Sequence, residues 1–301
     1  MPVEFYKPKY WGYLLFLFIL KIIVLLPFKL QITLGKKIGK IAYKFAKKRR
    51  NIAEVNIKAC FPNKSTQEIN EINMKSFESI GVSAIESINA WLMSNKRFKK
   101  ITFNMNFEFD LNTNNQPILL LGSHFTSMEI VGRYMASNFE KFNFVYQKHK
   151  NPFMEWLITS SRQKYATCLQ RKNVLAIIRA LKRNEKVWYA PDQDFGNERT
   201  IFAHFFGVTC TTLTATPWIV KKTNAIVIPC HYLRKNSLDG YDLFTFKQWQ
   251  DYPHDDDYTN AMRYNNFLEG LIREQPEQYL WQHRRFKTRP TNDPDTINYP
   301  S

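Results

Sequence analysis

Residues Pro117 to Ala136 read PILLLGSHFTSMEIVGRYMA, and this stretch decides the fold. It begins with a short apolar run at residues 117–122, which predicts a buried strand, and continues from Ser127 with apolar residues at helical spacing. Gly122 allows a sharp turn between the two elements because glycine lacks a Cβ atom, and Ser123 or Thr126 could cap the helix. The stretch therefore predicts a strand that leads through a tight turn into a helix.

Strands and helices keep alternating on the C-terminal side of this stretch. The apolar patterns predict strands at residues 142–146, 186–190, 225–232 and 241–246, and helices at residues 152–163, 174–183, 213–222 and 261–274. On the N-terminal side, residues 51–98 have a helical pattern, and residues 101–109 alternate as a strand does. This order predicts an α/β fold with a central mixed sheet flanked by helices.

The chain is strongly basic. It has 43 lysine and arginine residues against 26 aspartate and glutamate residues, a net charge of +17. Within the first fifty residues, twelve basic residues face the single acidic residue Glu4. A charge of this size attracts phosphates, carboxylates or acidic proteins, so it narrows the class of partner without indicating a fold.

The four cysteines, Cys60, Cys168, Cys210 and Cys230, form no closely spaced pair. Their spacing predicts neither a zinc site nor a disulfide framework, and it is typical of a reducing compartment. Aromatic residues make up 15% of the chain, which suits packing against lipid and equally suits a large aromatic core.

An apolar segment near the N-terminus is long enough to act as a membrane anchor. Residues 10–28 read YWGYLLFLFILKIIVLLPF, which as a helix nearly matches the ~30 Å thickness of the hydrocarbon layer. No small-residue cleavage site follows it, so we expect the segment to be retained. The more basic flank is C-terminal, which predicts a cytoplasmic body. Because Lys21 would lie near mid-membrane, a helix lying on one membrane surface is the alternative to a full span.

Residues 32–50 continue with Ile38, Ile41, Ala42 and Phe45 among lysines, which favours a basic amphipathic helix on anionic head groups. A solvated helix docked on the body is the alternative. The chain is thus expected to comprise a membrane anchor at residues 1–30, a basic and helical region at 31–100, an α/β core at 101–290 and an irregular tail at 291–301.

His124 and Glu129 are the residues in this pattern that best suit catalysis. His124 lies in the turn after the predicted strand, and Glu129 lies about one turn into the helix. A carboxylate that holds one ring nitrogen of a histidine leaves the other nitrogen free as a general base. Ligands of open α/β sheets bind beyond the carboxyl ends of the strands, where His124 is expected. We therefore predict that Glu129 folds back onto the imidazole.

Several further motifs accompany the pair and run through most of the chain. They are RNIAEVNIKACFP at Arg50–Pro62, SFESIG at Ser76–Gly81, KNPFMEWL at Lys150–Leu157, WYAPDQDFG at Trp188–Gly196, FFGV at Phe205–Val208 and PEQYLWQHRRFKTRP at Pro276–Pro290. With these motifs the sequence resembles the late acyltransferases of lipid A biosynthesis, the lauroyl and myristoyl transferases. Those enzymes are in turn similar to the glycerophosphate acyltransferases, which share a His-x4-Asp/Glu motif.

The resemblance implies a reaction at the surface of the inner membrane. His124 would remove the proton from a 3-hydroxyl group on an acyl chain of a lipid A precursor, and the resulting alkoxide would attack the thioester of an acyl carrier protein. Glu129 would orient and polarise His124. We expect neither a metal nor another cofactor, because a thioester is already activated.

Three arginines are candidates for substrate binding. Arg162 and Arg171 lie in SSRQKYATCLQR, and the resemblance implies that an arginine of this region approaches the catalytic pair. Such an arginine could bind a phosphate or carboxylate through two hydrogen bonds, whereas a surface role is the alternative. Arg133 follows Glu129 by four residues and could either bind a ligand or pair with Glu129.

Other polar residues suggest supporting roles. The sequence favours a structural role for Asp192 and Asp194 of PDQD, as a helix cap or as partners of Arg199 and Arg284, over paired acid–base carboxylates. A basic cluster near the C-terminus could steer an acidic carrier protein or a glycolipid. Its members are His283, Arg284, Arg285 and Lys287.

Two non-enzymatic classes and one other enzyme class compete with this interpretation. A nucleic-acid-binding protein would explain the charge, but the sequence shows no recognised binding module and has an unexpected apolar segment. A membrane scaffold would explain the anchor and leave His124 incidental. A thioester hydrolase would use water in place of the glycolipid.

Overall fold

The computed structural model describes residues 1–112, 115–237, 239–291 and 297–299. Within these ranges a seven-stranded sheet forms the centre of the protein. Its strands in spatial order are β1 (Thr102–Phe107), β9 (Gly240–Thr245), β8 (Ile226–Arg234), β2 (Ile118–Leu121), β5 (Lys186–Tyr189), β3 (Phe142–Tyr146) and β4 (Thr167–Gln170). A separate hairpin consists of β6 (Thr200–Phe205) and β7 (Val208–Leu213).

The sheet is mixed, as the sequence predicts. Strands β8, β2, β5, β3 and β4 run parallel, whereas β9 is antiparallel to β8 and parallel to β1. All four residues of β2 are 0% exposed. Parallel strands covered on both faces have continuous apolar sequences, which explains why the run ILLL identifies the centre of the sheet.

Ten α-helices surround the sheet within the described ranges. They are α1 (Trp11–Leu25), α2 (Phe28–Phe45), α3 (Lys47–Cys60), α4 (Thr66–Leu92), α5 (Asn95–Phe98), α6 (Met128–Asn138), α7 (Pro152–Arg162), α8 (Val174–Lys182), α9 (Ala215–Thr223) and α10 (Asp257–Glu274). Helix α4 begins with a capping box in which Ser65 and Glu68 bind each other's backbone, and this arrangement satisfies amides that a helix start leaves unpaired.

Several elements differ from the sequence prediction. The predicted helix at residues 213–222 begins two residues later, because Leu213 still pairs with Thr200 in the hairpin. The hairpin itself and β4 are absent from the prediction. The hairpin turn, formed by Phe206 and Gly207 with φ angles of 53° and 77°, has the backbone twist that two-residue turns require.

Helices α2 and α4 cross with their backbones in contact. A Cβ atom added at Gly81 of α4 would lie 2.1 Å from the carbonyl oxygen of Gly35 and 2.4 Å from the amide nitrogen of Gly39, both in α2. Only glycine permits so close an approach, because any larger residue would force the helices apart. The contact holds the basic helix α2 firmly against the rest of the protein.

The predicted irregular tail at residues 291–301 lies largely outside the described residues. Of its described part, Tyr299 packs against the core and donates a hydrogen bond from its hydroxyl group to Asn56 of α3. The same hydroxyl oxygen accepts a hydrogen bond from the backbone amide of Phe286 at 2.9 Å. The boundaries drawn from the sequence at residues 30, 100 and 290 stay predictions.

Candidate active site

The turn that follows β2 is held by hydrogen bonds from several distant segments. The backbone carbonyl of Gly122 accepts a hydrogen bond from the hydroxyl group of Tyr264 at 2.8 Å, and the carbonyl of Ser123 accepts one from Tyr232. The carbonyl of His124 accepts a hydrogen bond from the amide of Leu280 at 3.1 Å. These contacts fix the backbone of His124 before any ligand binds.

Thr126 connects the turn to helix α4. Its hydroxyl group lies 2.7 Å from that of Ser79, and its carbonyl oxygen accepts a hydrogen bond from Ser83 at 2.5 Å. Ser127 occupies the N-cap position of α6, but its side chain makes no capping hydrogen bond. The expectation that Ser123 or Thr126 caps the helix is therefore wrong, because Thr126 binds α4 and Ser123 lies too far before the helix.

Asp192 holds the imidazole of His124. One carboxylate oxygen of Asp192 lies 2.6 Å from Nδ1 of His124, and the other accepts a hydrogen bond from the backbone amide of His124 at 2.9 Å. The Asp192 side chain is 0% exposed, whereas that of His124 is 22% exposed. A carboxylate at Nδ1 fixes the proton on that nitrogen and directs Nε2 outward.

The pair also changes the pKa of both groups. Burial alone would lower the pKa of His124, but the charge and hydrogen bond of Asp192 outweigh it and raise this pKa above its usual range. Burial alone would raise the pKa of Asp192, but the charge of His124 and the two hydrogen bonds from it lower this pKa. The arrangement stabilises an imidazolium next to a carboxylate.

Glu129 does not bind His124, so the prediction that Glu129 orients the imidazole is wrong. Its carboxylate accepts two hydrogen bonds from Arg162, at 2.8 and 2.5 Å, and one from Nε1 of Trp91 at 2.7 Å. Glu129 lies in the first turn of α6 and faces α4 and α7. The imidazole instead faces the loop that follows β5, where Asp192 lies.

A cavity of about 210 Å³ opens beside these groups. Its polar lining includes His124, Glu129, Arg162, Arg171 and His149, and its apolar lining includes Met128, Phe144, Ile158 and Trp188. Sites of this kind, in which a few polar groups converge on an apolar wall, suit ligands with both a reactive group and a hydrocarbon part. The cavity is the candidate active site.

The three arginines predicted to bind substrate have different surroundings. Arg171 lines the cavity, its guanidinium lies 5.1 Å from the ring centre of Phe195, and its buried Nε atom has no hydrogen-bond partner. Arg162 also lines the cavity, but Glu129 neutralises its charge and, against the effect of burial, raises the pKa of Arg162. Arg171 is therefore the arginine best placed to receive an anionic ligand.

Arg133 has a structural role and does not pair with Glu129; it also lines the cavity, and its predicted binding of substrate stays a prediction. Its guanidinium, in a residue 5% exposed, donates hydrogen bonds to the backbone carbonyls of Asn89, Ala90 and Met93 at 2.8–3.3 Å and to the side chain of Asn95 at 2.8 Å. These carbonyls lie at the C-terminal end of α4, where a helix leaves carbonyl groups without partners, so Arg133 stabilises that helix end. Glu129 pairs with Arg162 and not with Arg133.

The neighbouring PDQD residue Asp194 is structural, as the sequence favours. Its carboxylate accepts hydrogen bonds from the amide of Thr288 at 2.6 Å and from the amide of Gly196 at 2.8 Å. The amide of Asp194 donates to Nε2 of His283 at 3.0 Å, and burial lowers the pKa of His283 to about 4.

The basic cluster near the C-terminus is only partly exposed. Arg285 is 4% exposed and donates a hydrogen bond to the carbonyl of Thr211, so it cannot steer a partner as predicted. Lys287, in contrast, is exposed.

A signal in the sequence could have identified Asp192 as the partner of His124. In the parallel pair of β2 and β5, Leu121 lies opposite Tyr189. His124 and Asp192 each follow these paired residues by three positions, so both emerge at the same edge of the sheet. Since neighbouring strand order is needed to make this inference, the pattern of either segment alone does not reveal it.

Comparisons with known proteins agree on one family. The model of the family described as bacterial lipid A biosynthesis acyltransferase matches residues 2–288. The chain is 35% identical over 291 residues to the lipid A biosynthesis lauroyltransferase of Escherichia coli K12, with 95% of both chains covered. It is 35% identical over 295 residues to the palmitoleoyltransferase of the same organism, with 96% of this chain and 95% of the relative covered.

More distant matches include one further curated protein and one solved structure. The lipid A biosynthesis myristoyltransferase of Escherichia coli K12 is 25% identical over 290 residues, which cover 95% of this chain and 90% of the relative. Among solved structures, the 1-acyl-sn-glycerophosphate acyltransferase of Thermotoga maritima matches with a TM-score of 0.40 and 11% identity. That match covers 76% of this chain and 98% of the other.

Proposed function

Because the chain belongs to the bacterial lipid A biosynthesis acyltransferases, we propose that it moves a fatty acyl chain from an acyl carrier protein thioester to a hydroxyl group of a lipid A precursor. The family itself makes the chain an acyltransferase of lipid A biosynthesis. The donor, the accepting 3-hydroxyacyl group and the catalytic residues are the proposed part. The observation that carries the proposal is the imidazole of His124, held by Asp192 at the wall of a partly apolar cavity.

His124 acts as the general base in the proposed reaction. Its Nε2 atom takes the proton from the 3-hydroxyl group while the hydroxyl oxygen attacks the thioester carbonyl carbon. The carbon–sulfur bond then breaks, and the departing thiolate recovers the proton from the imidazolium. Asp192 acts through His124 as a positioning residue, because it fixes the ring and stabilises the positive charge that forms on it.

Arg171 and the pair of Glu129 with Arg162 shape the remainder of the site. Backbone amides in the turn, from His124 to Thr126, already bind protein oxygens, so they are poorly placed to stabilise an oxyanion. Arg171 supplies a cation at the cavity with an unused donor, and we assign it to an anionic group of the substrate. Glu129 and Arg162 hold α6 and α7 together across the cavity.

The donor and acceptor can be tested by mass spectrometry. Purified protein mixed with an acyl carrier protein thioester and a tetra-acylated lipid A precursor should yield a product heavier by one acyl unit. The same donor without the acceptor should release little free fatty acid. Product formed equally well without any carrier protein, from free fatty acid alone, would contradict the proposed donor, and release of fatty acid without acylated product would identify a hydrolase.

Asp192→Asn should shift the pH profile to lower pH as well as reduce the rate. Because the carboxylate raises the pKa of His124, its removal lowers that pKa, so the acidic limb of kcat/KM moves to lower pH. The amide also favours the wrong tautomer, and we expect the plateau rate to fall by about 10²–10⁴-fold. The measurement is kcat/KM from pH 5 to 9. An unshifted limb at normal rate would show that Asp192 has no part in the reaction.

The proposed place of work is the cytoplasmic face of the inner membrane. Residues 8–25 form one segment that by length and composition could cross a membrane, and basic residues are concentrated after it. Acyl carrier protein is found in the cytoplasm, so the proposed donor supports a body on that side of the membrane.

A further inference from the structure

Helix α1 is attached at both of its ends to the sheet and helices α3 to α10, which together are called the body. Just before the helix, Phe5 is 2% exposed, and its ring centre lies 5.3 Å from that of Phe153 and 5.5 Å from that of Trp156, both in α7. Near the other end, Leu20 and Val24 are each 4% exposed and belong to the main hydrophobic core. A helix with both ends on one body cannot carry its first residues to the far side of a membrane from that body.

Hydrogen bonds strengthen the attachment at each end. The side chain of Asn151, the N-cap of α7, donates to the hydroxyl group of Tyr13 at 2.7 Å. At the C-terminal end, Gln31 donates to the carbonyls of Val24 and Leu26 at 3.1 and 2.9 Å. Arg97 donates to the carbonyl of Leu26 at 2.8 Å. Protein groups thus satisfy backbone carbonyls that a free helix end would leave to solvent.

The opposite face of α1 is a continuous apolar row. Its side chains are 46–66% exposed and are Trp11, Leu15, Phe18, Ile22 and Leu25. At about 100° per residue, this row lies across the helix from Tyr13, Leu17, Leu20 and Val24, which face the body. Lys21 falls on the flank between the two rows, where its long side chain can extend to water while the outer row contacts lipid.

Helix α2 continues this surface and adds charge to it. Its exposed apolar residues are Leu30, Ile38, Ile41 and Phe45, which are 39–74% exposed. Lysines occupy the adjacent side of the helix, and they are Lys29, Lys36, Lys37, Lys40 and Lys44. An apolar strip beside a basic strip is the arrangement of helices that lie at the boundary between acyl chains and anionic head groups. The glycine contacts with α4 fix this surface to the body.

We propose that the outer faces of α1 and α2 dock together in the plane of one anionic phospholipid leaflet, and that α1 does not span the membrane. The first residues of the chain then lie on the same side as the body. Helix α7, which contacts Phe5, also lines the cavity with Ile158 and Arg162, so the cavity lies near the lipid surface. A glycolipid can reach it from the leaflet. The docking does not depend on the proposed donor or catalytic residues.

Side-specific labelling distinguishes docking from a span. Single substitutions Glu4→Cys, before α1, and Lys100→Cys, on the body, place thiols at exposed positions. Cys60, Cys210 and Cys230 are buried and Cys168 is half-buried, so the unsubstituted protein sets the background. We expect a membrane-impermeant maleimide to label both variants in inverted inner-membrane vesicles and neither in spheroplasts. Labelling of Glu4→Cys in spheroplasts, or its failure to react in inverted vesicles, would overturn the proposal.

Partition of the protein into lipid vesicles tests whether lipid covers the outer faces of α1 and α2. The double variant Leu15→Asn with Phe18→Asn changes two side chains that are each 61% exposed, and should weaken partition into phosphatidylethanolamine–phosphatidylglycerol vesicles by on the order of 10²-fold. The control Leu175→Asn changes an equally exposed leucine, at 62%, on α8 and should leave partition unchanged. If the double variant partitions into vesicles as well as the unsubstituted protein does, lipid docking on this face is wrong. If the double variant also loses a self-association that gel filtration detects in the unsubstituted protein, a second copy of the chain covers this face instead.

Discussion

His124→Ala should abolish acyl transfer almost completely while the protein stays folded. Loss of the general base alone removes about 10²–10⁴-fold in rate, and Asp192 then remains as a buried carboxylate without its cationic partner. We expect kcat/KM to fall by at least ~10³-fold, with product mass as the readout. The effect should appear in kcat more than in KM, because Nε2 acts on the transferring proton and not on the bound lipid.

A second histidine provides the control for this result. His204 is exposed on the hairpin, and its Nδ1 atom lies 3.1 Å from the hydroxyl group of Tyr258. His204→Ala removes the same side chain at a position that does not line the cavity, so activity should stay within about twofold of the unsubstituted protein. Transfer by His124→Ala at more than a tenth of the normal rate would refute the general-base role, provided that both variants unfold at similar temperatures.

Glu86→Ala should cause the largest loss of stability. Glu86 is 0% exposed and accepts hydrogen bonds from Arg234 at 2.6 and 2.8 Å and from the hydroxyl group of Tyr241 at 2.6 Å. Its removal leaves Arg234, 7% exposed, as a buried charge without a counterion. Breaking one side of a buried ion pair costs about 3–5 kcal/mol in the free energy of unfolding, which chemical denaturation followed by circular dichroism measures.

Two matched variants separate burial from the mere presence of an ion pair. Glu71 lies on the same helix, and its carboxylate pairs with Lys75 at 2.7 Å, but both side chains are more than half exposed. Glu71→Ala should therefore cost no more than about 1 kcal/mol. The double variant Glu86→Leu with Arg234→Met should regain most of the stability lost in Glu86→Ala, because it leaves no buried charge. Equal losses in Glu86→Ala and Glu71→Ala would contradict the argument.

The Glu86 network also extends to the candidate active site. Arg234 donates to the hydroxyl group of Ser79 at 3.1 Å, and that hydroxyl lies 2.7 Å from Thr126, two residues after His124. Since Arg234 ends β8 and Ser79 lies on α4, the network joins the sheet, the long helix and the turn that carries His124. Ser79→Ala removes only the hydroxyl group that links Arg234 to Thr126. We expect it to lower the rate of acyl transfer clearly while changing the free energy of unfolding little.

The sequence by itself determined many of the helices and strands and the location of His124. The run ILLL is fully apolar because β2 is covered on both faces, and helical spacing resumes at α6, so the turn between them could be recognised locally. The short strand β4 and the hairpin of β6 and β7 could not be recognised in this way. β4 has only four residues, TCLQ, and one of them is buried, so its pattern is too short to identify a period.

Only the tertiary structure decided which charged groups meet. Asp192 is 68 residues from His124, and Arg162 is 33 residues from Glu129. Nearness in sequence favoured Glu129 as the partner of His124 and Arg133 as the partner of Glu129, yet neither pair forms. Local hydrophobic periodicity reports which side of an element is buried, whereas side-chain pairing depends on the order and register of strands that are distant along the chain. For the same reason, only the structure shows that both ends of α1 rest on the body.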